Sequence, residues 1–169
     1  MTTMKKLPLD RTSTLLLRAA VVAVGAIVLA LCIFALPAVF MAAPEEYNDA
    51  ATHAIYAIIG AMYMSAVPFF YGLYQAMRIL HFIDKNKAFS ELSVNALKRI
   101  TFCALAISVV YAVSLPLFYI WAQHEDAPGL IIIGMVLSAA PFAIGVAAAV
   151  LRRLLQEAIS IKSENDLTV

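Results

Sequence analysis

Charged residues punctuate this chain so as to leave four long apolar windows. They lie between Arg18 and Glu45, Asp49 and Arg78, Arg99 and Glu125, and Asp126 and Arg152, and hold 26, 28, 25 and 25 residues. A helix needs about 20 apolar residues to cross the hydrocarbon of a bilayer, and a charge at mid-depth costs about 3 kcal/mol. Each window therefore predicts a transmembrane helix, with spans at about 15–41, 51–80, 98–122 and 129–151. Polar or turn-forming stretches separate them: Ala-Pro-Glu-Glu at 43–46, Asp-Lys-Asn-Lys at 84–87 and His-Glu-Asp-Ala-Pro-Gly at 124–129. The chain, 1–169, reads as one membrane domain with an amphipathic extension over 152–162 and a tail over 163–169.

Composition removes the alternatives. Of the 169 residues, 63% are hydrophobic and 14% charged, with a mean hydropathy of +0.88. A soluble domain carries about a quarter charged residues, so a soluble enzyme, a disordered chain and a disulfide scaffold are all excluded. The charges also orient the spans. All 12 Lys and Arg residues fall on one side, while the other holds Glu45, Glu46, Asp49, Glu125 and Asp126 and no base. Net charge is 12 − 6 = +6 on the first side and −5 on the second. By the positive-inside rule both termini are expected inside the cell. The first apolar run exceeds the core of a signal peptide, and Pro44 follows the Ala42-Ala43 pair that would invite cleavage, so this span is expected to stay attached.

One segment recurs. Ser65-Ala-Val-Pro-Phe-Phe-Tyr-Gly72 returns 73 residues later as Ser138-Ala-Ala-Pro-Phe-Ala-Ile-Gly145, and Leu36-Pro37 in the first span is echoed by Leu115-Pro116 in the third. The expected fold is thus an all-α, integral membrane four-helix bundle with a 2+2 parallel internal repeat about an axis along the membrane normal. Pro37, Pro68, Pro116 and Pro141 give each span one proline, which removes a backbone hydrogen bond and predicts a kink. Ser65 and Ser138, three residues ahead of Pro68 and Pro141, are placed to bond the backbone there. Small residues spaced by four, among them Gly134 with Ser138 and Gly145 with Ala149, predict close helix seams. Phe40, Tyr47, Tyr119 and Trp121 fit an outer aromatic belt.

Chemistry is sparse. No Asp, Glu, Lys or Arg lies deep in a span, which argues against an ion-coupled pump. Tyr56, Tyr63, Phe70 and Met77 form a stripe that reads as a packing seam. Cys32 and Cys103 sit at depths differing by about 13 Å, too far for a disulfide. His53, His124 and the outer carboxylates lack ligand spacing, and there is no HExxH, CxxC, nucleophile elbow or phosphate loop. No catalytic residue, metal site or cofactor is assigned, and the protein is expected not to be an enzyme.

The inner segments carry more local information. Ser90 is a fit N-cap with Phe89 able to staple onto Val94, and Leu151, Leu154, Leu155, Ala158 and Ile159 form an apolar strip beside Arg152, Arg153 and Glu157. Leu167 and Val169 alternate at the end of a polar tail, a period that suits an extended segment bound in a groove. Either Glu164 and Asp166 would find opposite charge on Lys85, Lys87, Lys98 and Arg99, or the tail would dock on a separate cytoplasmic partner. Phe89, Ser90, Glu164, Asn165, Asp166, Leu167 and Val169 are therefore the candidate partner-binding residues.

At these same positions the chain resembles a known family. Phe89-Ser90, Asn95-Ala-Leu-Lys-Arg-Ile100 and the closing Glu164-Asn-Asp-Leu-Thr-Val169 are similar to the bacterial membrane family called domain of unknown function 2975, from about Leu15 to Val169. That resemblance implies a multi-pass protein of the bacterial cytoplasmic membrane, often encoded beside a small helix-turn-helix regulator of the Cro/CI type. It carries over no catalytic residue. Two expectations of function follow: an interaction or sensing protein whose inner loop and tail engage a partner such as that regulator, without itself binding nucleic acid, or a small-solute or ion pathway.

Overall fold

The computed structural model describes residues 9–42, 50–85 and 87–166. The first span is composite: helix α1 (Leu9–Ala30), a π-helical turn (Leu31–Ala35) and helix α2 (Leu36–Ala42). Helices α3 (Ala50–Asp84), α4 (Glu91–His124) and α5 (Gly129–Asp166) follow. Together these give four stretches long and apolar enough to cross a membrane, the number expected from the spacing of charges. The helices overrun the apolar windows at the end that carries the Lys and Arg residues, because a helix needs no hydrocarbon to continue. No glycine or proline follows Gly145 in α5, and only Asp84-Lys-Asn-Lys breaks the path from α3 to α4.

The helices pack in chain order, α1 on α3, α3 on α4 and α4 on α5. Buried Ile58 of α3 meets Tyr111 and Phe118 of α4, with Leu137 of α5 against the same cluster. Gly134 lets α5 approach so closely that an added Cβ would lie 2.9 Å from Phe118 Cγ. The recurring segment is put to one use in both its copies, gripping α4 from two helices. Tyr111 and Ser65 hydroxyls meet at 2.9 Å, while Ser108 Oγ donates to the Ser138 carbonyl at 2.9 Å and Ser138 Oγ returns to the Ser108 carbonyl at 3.4 Å. More than a turn further toward the basic end, Gly72 faces Cys103 and Gly145 faces Ala104 and Leu105. Ser65 also donates to the Met62 carbonyl of its own helix, as the sequence suggests, whereas Ser138 spends its hydroxyl on α4 instead.

Prolines Pro68, Pro116 and Pro141 lie inside continuous helices. Pro37 is handled differently, through the π-helical turn just before it. There the Leu36 N–H reaches back five residues to the Leu31 carbonyl. The next donor in that register would be residue 37, opposite the Cys32 carbonyl, and proline has none. Tyr63 of α3 supplies it: its hydroxyl donates to the Cys32 carbonyl at 2.9 Å. An aromatic seam residue thus satisfies a backbone group that lipid could not.

Two turns link the last three helices. After α4, Asp126 takes φ 52° and the Ala127 N–H bonds the Ala122 carbonyl at 3.0 Å, a six-to-one closure that ends the helix before Pro128. Asp tolerates the left-handed region better than most side chains, which explains its use where glycine is usual. Both cysteines are free, Cys103 buried and Cys32 half-buried.

Candidate functional site: the basic ends of the helices

Ser90 takes the N-cap position of α4 in extended conformation, and its carbonyl accepts the Ser93 and Val94 N–H groups at 3.0 and 3.3 Å. Its side chain does not cap, contrary to expectation. Ser90 Oγ instead donates to the Lys87 carbonyl at 2.7 Å, which pulls it into the turn and away from the helix. The staple from Phe89 to Val94 does not bury the ring either. Phe89 is left 63% exposed, while Val94 turns inward and is sealed at 3%.

At the chain's end the expected extended tail is helix as far as Asp166, so Glu164, Asn165 and Asp166 follow the period of α5. Leu167 and Val169 lie outside the described residues. Helix α5 outruns its neighbour. Gly145 sits beside Ala104, from which α4 has 13 residues left to Glu91 while α5 has 21 to Asp166. The difference of 8 residues is an overhang of about 12 Å. Along the extension Leu151, Leu154 and Ile161 stay more than half exposed, Leu155, Ala158 and Ile159 are partly covered, and Arg153 pairs with Glu157 on the polar face at 3.4 Å. A helical Glu164 stands about 18 Å beyond Arg152 along the axis. That puts Lys98 and Arg99, which share a cleft with Arg152, out of its reach.

The cleft holds about 530 Å³ and is the site feature the sequence reading missed. Its floor is α4, with Asn95, Lys98, Arg99 and Phe102; Tyr71 comes from α3 and Arg152 from α5. Arg99 Nη1 donates to the Tyr71 hydroxyl at 2.9 Å. None of Lys98, Arg99 and Arg152 is ion-paired with a described residue, and Arg152 Nε is buried without a partner. The signal was present as bases ending two successive spans, but bases at span ends read first as topology. Deeper in α3, Gln75 is fully buried and neither end of its amide finds a partner. A lone glutamine inside an apolar helix gives no sign of which way it faces.

The described residues hold no group of three or more metal-binding side chains; Glu45, Glu46 and Asp49 lie outside them. Phe40 meets Tyr56 in a tilted ring pair with centroids 5.0 Å apart, tying α2 to the start of α3.

Four long apolar helices, with no strand among the described residues, define a multi-pass integral membrane protein. The family model described as Protein of unknown function (DUF2975) matches residues 40–169, and the chain belongs to that family. It is 50% identical over 161 residues, 95% of this chain and 100% of the relative, to a protein of Bacillus subtilis (strain 168) named Uncharacterized membrane protein YoaS. No solved structure matches the chain.

Proposed function

We propose that this protein is a non-enzymatic interaction or sensing component of the bacterial cytoplasmic membrane, with both termini inside, whose α3–α4 loop and C-terminal helix engage a cytoplasmic protein. The observation that carries this is the overhang of α5, a helix that leaves its packing partner behind and keeps Leu154 and Ile161 more than half exposed. An apolar stripe on a helix beyond the bilayer is the form taken by helix-in-groove recognition. A small helix-turn-helix regulator, the neighbour that family resemblance implies, is the partner we favour. Its capture at the membrane would couple the state of the bundle to transcription without this chain touching DNA.

Affinity purification of the full-length protein co-expressed with such a regulator tests this. The regulator should co-purify with the wild type and be lost with Leu154→Glu and Ile161→Glu, which leave the spans intact. Equal recovery with both forms overturns the reading. A solute pathway is the second reading, and the unpartnered amide of Gln75 inside the bundle is the observation in its favour. Orientation is tested separately, since reporters fused at Asn48 and Ala127 should both report the outside.

A further inference from the structure

We propose that the cleft among α3, α4 and α5 binds an anionic glycerophospholipid, with its phosphate among Lys98, Arg99 and Arg152 and an acyl chain along α4. This goes beyond the partner reading and does not depend on it. Three bases from two helices converge on one cavity without an acidic partner among the described residues. Arg152 is half-buried there with an unused Nε–H, and Tyr71 fixes Arg99 by one nitrogen, leaving the rest of its guanidinium donors for a ligand. Basic pockets between helices at the inner surface are suited to phosphate headgroups. The guanidinium fork matches phosphate oxygens in pairs.

The cleft continues into something a soluble anion has no use for. From Lys98 and Arg99, the same face of α4 runs outward through Phe102, Leu105, Val109 and Val113, which are 75%, 38%, 60% and 73% exposed. Their offsets of three, four and four residues keep them on one side of the helix. Phe102 to Val113 covers about 16 Å of rise. One leaflet of hydrocarbon is about 15 Å deep. Charge at the inner rim and an open apolar track one leaflet long together match a lipid, not a free phosphate. The three bases also select against a choline or ethanolamine headgroup, whose ammonium they repel.

Native mass spectrometry of the full-length protein in detergent tests the proposal, with dioleoylphosphatidylglycerol and dioleoylphosphatidylcholine as probes. The wild type should retain the anionic lipid at least about tenfold more tightly. Lys98→Gln, Arg99→Gln and Arg152→Gln together should abolish that preference. Lys85→Gln, Lys87→Gln and Arg153→Gln, which remove equal charge outside the cleft, should keep it. Equal retention of the two lipids by the wild type overturns the proposal even where the triple variant fails to assemble, and so does an equal loss in the control. Inorganic phosphate should not displace the lipid at millimolar concentration; displacement there makes the cleft a site for a soluble anion and also overturns it.

Discussion

At Gly134 the absence of one methyl group decides how closely two helices meet. A Cβ there would lie 2.9 Å from Phe118 Cγ and 3.2 Å from its Cβ, atoms too near the backbone to swing aside. Gly60 on α3 faces open space, with nothing within 4 Å of the same construction. Alanine is favoured over glycine in a helix by about 1 kcal/mol, whereas overpacking a seam costs about 1–3 kcal/mol. Gly60→Ala should therefore stabilise the protein by up to about 1 kcal/mol, and Gly134→Ala should destabilise it by a similar amount or more. Denaturation in mixed micelles distinguishes the two signs. Gln75 offers the opposite case, since burying an amide without partners costs about 1–3 kcal/mol. Gln75→Met, similar in length and free of that cost, should raise the midpoint of unfolding. An unchanged or lowered midpoint would mean that the amide is engaged in a way that benefits the fold. Gly134 was legible in the sequence through its spacing to Ser138. Gln75 was not, because a single polar residue in an apolar run carries no period.

Among the elements, charge spacing gave the number and order of the long apolar helices, since lipid excludes charge with little regard to packing. It located their ends less well. Nothing in hydropathy marks where a solvated helix stops; the start of α4 at Glu91 was marked instead by Ser90 at the N-cap position, while α5 runs to Asp166, past the extension expected over 152–162. The alternation of Leu167 and Val169 suggested an extended tail, yet the residues just before them lack any helix breaker and stay in register with α5. The π-helical turn was hidden for a different reason: it depends on a tertiary donor. The prolines were visible, but the choice of Tyr63 to serve the Cys32 carbonyl needs the approach of α3 to be known. Tyr63→Phe removes that donor and leaves the ring. In a membrane interior such a bond is worth about 1 kcal/mol, so this variant should lose roughly that much stability. Tyr56→Phe, whose ring keeps its tilted contact with Phe40, should lose less. Equal losses would deny Tyr63 its special role. The two copies of the recurring segment make a related point. Ser65 and Ser138 both serve the seam with α4, but one does so through Tyr111 and the other through a backbone exchange with Ser108, so similar sequence need not mean identical bonding.

For the molecule as a whole, adhesion is uneven. Helices α3, α4 and α5 share the buried cluster of Ile58, Tyr111 and Phe118, whereas the first span buries little of its surface and leaves Leu16, Ile27 and Phe34 more than 60% exposed. The family match runs over residues 40–169, which leaves α1 and the π-helical turn outside it. Contacts tie the first span to α3 along its length. Arg18 pairs with Asp84 at 2.5 Å at the basic end, Gly25 admits Leu73, and Tyr63 reaches the Cys32 carbonyl in the π-helical turn. The ion pair is about a third exposed on both sides, so its contribution to total stability is below about 1 kcal/mol. Its leverage on position is larger, because it ties the basic end of α1 directly to the end of α3. Asp84→Asn should consequently leave the midpoint of unfolding nearly unchanged and loosen α1 alone. The two free cysteines report this without further substitution: Cys32 lies in the first span and Cys103 in buried contact opposite Gly72. A membrane-permeant maleimide should label Cys32 faster in the Asp84→Asn protein while Cys103 stays as protected as in the wild type. Acceleration at both cysteines would mean that the whole bundle opens together, and acceleration at neither would mean that Gly25 and Tyr63 hold the first span without the ion pair.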